Sequence, residues 1–319
     1  MERRTLLAGA AMLAAPRLAR AQAWPTRPIR MIVTWPPGGG ADILARQMQP
    51  SLSAALGQPV VVENRGGASG AIGAAELIRA PNDGHTFGLV TSTLVSMALM
   101  RRQSYDPLRD VTPIMLHSRV ANILVVHPSL PVRSVADLVA LARQRPGELS
   151  FGSPGIGSAV HISGEMFKLA TGTNMIHAPY RGGGPALADL VAGSLHLMFG
   201  NASSTLPFVR DGSLRPIAVT SAQRARYLPD LPTIAESGLP GFAIDEWYGC
   251  IGPRDMAPAA VERLNAAMSA ILSAPAERAR LLEMGAEVAV GTPAEFGQLI
   301  ARDVEAIGRV VRDARITLE

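Results

Sequence analysis

Short apolar runs alternate with segments of helical spacing along most of the chain. Ile29–Trp35 is an apolar run and predicts a strand. Ala41–Leu56 has helical periodicity, and Pro50 is expected to kink or segment it. Val60–Glu63 and Thr86–Thr91 read as further strands, separated by a helix over Ala71–Ala80 that ends at the turn Pro81-Asn82-Asp83-Gly84. A helical patch then reaches Met100. A second block repeats the alternation. Strands are expected at Ile123–His127, Leu149–Ser153, Met175–Tyr180, Leu195–Phe199 and Pro216–Thr220. Helices are expected from a cap at Ser134 to Arg145, over Ser158–Thr171 and over Pro185–Ala192. Pro229–Pro240 reads as a linker. The tail returns to a strand at Glu246–Ile251, helices at Pro258–Leu272, Ala276–Met284 and Pro293–Val311, and a small strand at Glu287–Val290.

Strand-then-helix repeats predict an α/β fold with mainly parallel sheets flanked by helices. A second α/β block inserted before a helical return predicts discontinuous domains. The expected division is 24–122 plus 236–319 for the first and 123–235 for the second. Crossovers near Asn122 and Trp247 would form a hinge. Ligands in such sheets bind beyond the carboxyl ends of strands, so two facing lobes can close around a solute.

Three strand-to-helix turns are glycine-rich. Pro36-Pro37-Gly38-Gly39-Gly40-Ala41-Asp42 follows the first strand. Ser153-Pro154-Gly155-Ile156-Gly157-Ser158 and Tyr180-Arg181-Gly182-Gly183-Gly184-Pro185 lie in the second block. Such a turn presents free backbone N–H groups and the positive end of a helix dipole, and glycine lets an anion approach closely. The expected device is an anion-binding mouth with one jaw on each lobe, the N–H groups of Gly157 and Ser158 sharing the second jaw. Two polar turns, Thr91-Ser92-Thr93 and Gly200-Asn201-Ala202-Ser203-Ser204, add to it. Ser158 reads either as a helix N-cap or as a hydroxyl donor to a carboxylate. Asp42 reads either as a first-turn acid on the helix dipole or as a partner for a ligand ammonium or hydroxyl.

Composition narrows the classes. The chain has 319 residues and a formal net charge of +4. Arg3, Arg4, Arg17 and Arg20 against Glu2 give the first 23 residues a net +3, leaving +1 for the rest. That leader has a charged start, an apolar stretch from Thr5 to Ala15 and small-x-small cleavage patterns at Ala19-Arg20-Ala21 and Ala21-Gln22-Ala23. It reads as a signal peptide, through the general or the twin-arginine route. Scattered arginines and few aromatics exclude a nucleic-acid face. Cys250 is the single cysteine, so no internal disulfide forms, and its apolar run predicts a buried, inert thiol. Neither a full dinucleotide fingerprint, a P-loop, a Gly-x-Ser-x-Gly elbow nor metal-ligand histidine spacing is present. No cofactor is expected. A hydrolase using Ser158 and His161 is a rival reading without an evident third group.

Several pieces then carry a resemblance. These are Trp24-Pro25-x-Arg27-Pro28-Ile29, Pro36-Pro37-Gly38-Gly39-x-x-Asp42, Val62-Glu63-Asn64-Arg65-x-Gly67-Ala68-x-Gly70 and Asp83-Gly84-His85-Thr86. Later come Gly155-x-Gly157-Ser158-x-x-His161, His177-x-Pro179-Tyr180-x-Gly182-x-x-Pro185-Ala186, Asp189-Leu190-x-x-Gly193 and Pro232-Thr233-x-x-Glu236-x-Gly238. In this order the chain resembles the extracytoplasmic solute-binding receptors of the tripartite tricarboxylate transporter system, the TctC or Bug family. The resemblance implies a two-lobed periplasmic-binding-protein fold of type II. It also implies capture of a small organic acid, delivery to a membrane permease, and a periplasmic monomer. A sensor that presents the solute to a membrane signalling protein is the alternative. The implied ligand contacts are Pro37, Gly38, Gly39, Ala41 and Asp42 in one lobe and Gly155, Gly157 and Ser158 in the other. Thr91, Ser92, Tyr180, Gly182, Asn201 and Ala202 would line the rest. Two departures stand out: Arg181 where lysine is common, and Trp35 beside the first loop, where an indole would narrow the cleft.

Overall fold

The computed structural model describes residues 24–100 and 105–313; the signal-peptide reading therefore lies outside the described residues. The apolar run at the start becomes β1 (Ile29–Val33), buried except at the half-exposed Arg30. It takes β2 (Val60–Asn64) on one side and β3 (Thr86–Thr91) on the other, both parallel. The intervening helices are α1 (Gly40–Leu56), α2 (Ala71–Ile78, after a 3-10 turn at Ala68–Gly70) and α3 (Thr93–Met100). α1 buries Leu44, Ala45, Met48, Leu52 and Leu56, the spacing of one helical face. Pro50 sits inside this helix without dividing it. It lies on the exposed face, where water can take the carbonyl that its missing N–H leaves free.

β4 (Val111–Val126) is far longer than the expected Ile123–His127 segment. Its first part pairs antiparallel with β9 (Asp245–Pro253) and β10 (Glu287–Val288). Its last five residues, Asn122–Val126, pair antiparallel with β7 (Leu197–Asn201) and β8 (Arg215–Val219). One strand thus belongs to two sheets. The second sheet is completed by β5 (Ser150–Ser153) and β6 (Ile176–Pro179), parallel to each other, with β5 parallel to β7. Its helices are α4 (Val135–Gln144), α5 (Ala159–Thr171), α6 (Gly183–Val191) and α7 (Ala202–Arg210). The chain returns near Ile244, whose N–H donates to the Thr220 carbonyl at 3.0 Å. α8 (Pro258–Ser273), α9 (Pro275–Glu283) and α10 (Pro293–Asp313) finish on the first sheet's side.

The overall strand order is β2-β1-β3-β9-β4-β7-β5-β6, a mixed sheet that bends where β4 changes partners. The fold is α/β and two-lobed, of the type II periplasmic-binding-protein kind. The parallel pairs come from the βα repeats; the antiparallel ones come from β4 and β9, the two strands at the crossover. Cys250 lies in β9, fully buried, and burial holds its thiol well above its ordinary pKa, to about 12. Among the described residues, no helix is long and apolar enough to cross a membrane.

Candidate functional site

The two sheets present the carboxyl ends of β1, β5, β6 and β7 toward one cavity of about 220 Å³. Four helices begin there. Gly39, Gly40 and Ala41 come from the start of α1, and Ser158, Ala159 and Val160 from the start of α5. Gly182 to Pro185 come from the start of α6, and Asn201 and Ser204 from the start of α7. The first N–H groups of a helix have no partner within it. α1 and α6 also lack any side-chain cap, because their N-cap residues are Gly39 and Gly182. Four dipole ends and unpaired donors therefore face one small space.

The first loop is fastened from behind. Asp42 accepts the Gly38 N–H at 3.0 Å, the Arg46 Nε–H at 2.8 Å and the Asn64 Nδ2–H at 3.0 Å. Asn64 also donates to the Trp35 carbonyl at 3.0 Å. Asp42 is spent on shaping the loop and does not reach the cavity wall, and Gly38 adopts φ +80° to make that bond. At Gly40 a side chain has no room: a Cβ would lie 2.7 Å from Asn201 Oδ1 and 2.8 Å from the Tyr248 hydroxyl.

The second loop is more internally bonded than its sequence suggests. Ser158 Oγ donates to the Gly155 carbonyl at 2.7 Å and accepts the His161 N–H at 3.2 Å. Its hydroxyl is the N-cap of α5. The Gly157 N–H donates to His161 Nδ1 at 3.1 Å, and the Ser158 N–H to the Gly155 carbonyl at 3.2 Å. Neither amide is free for a ligand; the next residues along, Ala159 and Val160, line the cavity. The same bonds leave a Ser158–His161 nucleophile without geometry: the two meet only through the histidine backbone N–H. Burial and the stacked His177 ring, 4.0 Å away between centroids, hold His161 neutral, with its pKa pushed down to about 3.

An outer chamber of about 700 Å³ adjoins the cavity. Gly155 and Tyr180 line it, and Pro37, Gly182, Trp35 and Arg181 line both spaces. The Tyr180 hydroxyl donates to Asp189 at 2.6 Å, which raises its pKa to about 12. The Trp35 indole forms part of the shared wall, its N–H donating to Thr91 Oγ1 at 3.2 Å. Thr91 itself stands behind the wall. Ser92 faces a different cavity, with Ser96, Arg119 and Asp303, and Ala202 is fully buried in the first turn of α7.

Sequence reasoning missed the inner end. Glu246 and Tyr248 reach the cavity from β9, within an apolar run that reads simply as core. Asn201 Nδ2 donates to Glu246 Oε2 at 2.7 Å and to the Tyr248 hydroxyl at 2.8 Å. Among the described residues, Glu246 has no ion-pair partner. Burial pushes its carboxyl up to about 7, against the lowering pull of its bonds to Asn201, Thr91 and Tyr248.

A family model described as "Tripartite tricarboxylate transporter family receptor" matches residues 44–316. The chain belongs to the TctC family. BugT of Bordetella pertussis (strain Tohama I) is 35% identical to this TctC-family chain over 302 residues, 94% of this chain and 93% of its own length. The structure of R. palustris Rpa4515 with adipate is similar to it at a TM-score of 0.89 and 39% identity, covering 92% of this chain and 99% of that one. MatC (Rpa3494) from Rhodopseudomonas palustris with bound malate is similar at a TM-score of 0.85 and 28% identity, covering 90% and 100%.

Proposed function

We propose that the protein is an exported receptor that captures a small organic acid between its lobes and hands it, unaltered, to a membrane permease. One observation carries this reading: four helix N-termini meet at a cavity of about 220 Å³ that both lobes build. Their dipoles and free amides favour a carboxylate, with Arg181 the cationic side chain among the described residues of the wall. Adipate and malate in the two R. palustris neighbours support the ligand class. The leader at residues 1–23 supports export to the periplasm.

The proposed ligand set is Pro37, Gly39, Gly40, Ala41, Ser158 to Val160, Gly182 and Asn201. The proposed hinge is β4 at Asn122 together with the chain's return near Asp245. Closing the lobes around the acid excludes water, which strengthens each amide–carboxylate bond.

Isothermal titration of the mature chain with linear dicarboxylates, hydroxy acids, aromatic acids and amino acids tests the reading. At least one class should bind with a dissociation constant of about 10 μM or tighter, worth about −7 kcal/mol. Silence across the whole panel would overturn it.

A further inference from the structure

Glu246 is an unexpected group for an anion site. It sits on β9 in the wall of the inner cavity, is buried, and has no basic partner among the described residues. A ligand carboxylate at the uncapped start of α1 would be its close neighbour. Gly40 is in van der Waals range of Asn201 and Tyr248, and Asn201 bonds Glu246 directly. Two ionised carboxylates sharing so small a space repel strongly.

The surroundings offer little compensation. On its own strand, Asp245 lines other cavities, and Tyr248, which shares the wall, is itself buried and held protonated. β3 contributes the Thr91 hydroxyl, β7 and α7 contribute Asn201 and Ser204, and Val120 is its partner across β4. α1 brings Asp42, which is turned away onto Gly38, Arg46 and Asn64. α5 brings His161, turned onto Gly157. The loop before α6 brings Arg181, an exposed residue at the junction with the outer chamber.

We propose that Glu246 is a ligand-binding residue that acts as a neutral carboxylic acid, accepting from Asn201 on one oxygen and donating its O–H to a carboxylate oxygen of the captured acid. The inference rests on the receptor reading above. The balance is simple: ligand carboxylate, Glu246 carboxylate and one proton from solvent give a complex in which that proton lies between the two carboxyls. No bond to carbon changes. Below about pH 7 the free protein already carries the proton, in keeping with the raised pKa of Glu246. Above it, capture must take the proton up, so affinity falls as pH rises.

The test is titration calorimetry with adipate and with malate, acids whose own carboxyls stay ionised across the range, from about pH 6 to about pH 9 at fixed ionic strength. Wild type should bind with constant affinity up to about pH 7 and then weaken by nearly tenfold per pH unit. Repeating the alkaline titration in two buffers of different ionisation enthalpy should show uptake of about one proton per ligand. Glu246→Gln keeps an acceptor for Asn201 and a donor for the ligand without a proton to lose. It should bind with pH-independent affinity, at least about tenfold tighter than wild type at about pH 8.5.

Wild-type binding that is flat or strengthens with pH, without proton uptake, overturns the proposal; strengthening would mark an ionised Glu246 facing a ligand cation. That wild-type measurement stands even if the variant folds poorly. Absence of any acid binding at any pH would instead remove the receptor reading itself.

Discussion

At the residue scale, the cavity depends on atoms that are missing as much as on those present. Gly40 leaves the start of α1 open while Asn201 and Tyr248 close in from the other side. Gly40→Ala should therefore cost about tenfold in ligand affinity or more, the lower range of overpacking penalties. Alanine's better helix propensity should keep the melting temperature within a few degrees. Calorimetry with a ligand found in the panel, alongside a thermal melt, checks both, and unchanged affinity would contradict the assigned wall. The glycine loops were legible because their composition is local: proline, glycine and a capping residue at a strand end have few other uses. Glu246 was not legible. Its neighbours Trp247, Tyr248, Cys250 and Ile251 look like core, and only pairing of β9 with β3 and β4 turns its side chain toward the site.

At the element scale, context overrode local signals. Pro50 was expected to kink or segment α1, yet the helix continues because apolar residues on both sides of it share one buried face. The proline removes one helical hydrogen bond. Pro50→Ala should stabilise the protein by about 1–3 kcal/mol, read as a higher urea midpoint at constant slope. A lower midpoint would show that the proline fits a bend the helix needs. β4 is the opposite case. Its first half, with Pro113 and alternating polar residues, gives no strong strand signal, but pairing with β9 and β10 imposes one. The segment Gly200–Ser204, expected as a turn, is the end of β7 and the cap of α7, with Asn201 Oδ1 accepting the Ser203 N–H at 3.1 Å. Asn201 thus caps α7 with one atom and holds Glu246 and Tyr248 in the cavity wall with the other, so a turn reading and a site reading are compatible there.

At the scale of the whole molecule, two hydroxyls from the first lobe hold the glycine loop of the second. Ser69 Oγ donates to the Ile156 carbonyl and Ser96 Oγ to the Gly157 carbonyl, both at 2.6 Å. Both bonds join segments assigned to different lobes, so they should favour the approach of those lobes. Removing them in a Ser69→Ala, Ser96→Ala double variant forfeits about 2 kcal/mol of that approach, at about 1 kcal/mol per bond. Ligand affinity should fall about tenfold or more, and small-angle scattering should show a larger radius of gyration without ligand. Equal affinity and equal scattering would mean that the bonds do not bias the lobes. The order of motifs from Trp24 to Gly238 was enough to place the chain in its family, and their spacing determined the βα repeats and the three glycine turns. Those features follow from short-range rules: periodicity, capping and glycine's freedom at positive φ. Which turns share one cavity, which amides remain free and which carboxyl lines that cavity were decided by the tertiary structure alone. Each depends on pairings between strands far apart in the chain, and the energy of burying a charge exists only once those strands have met.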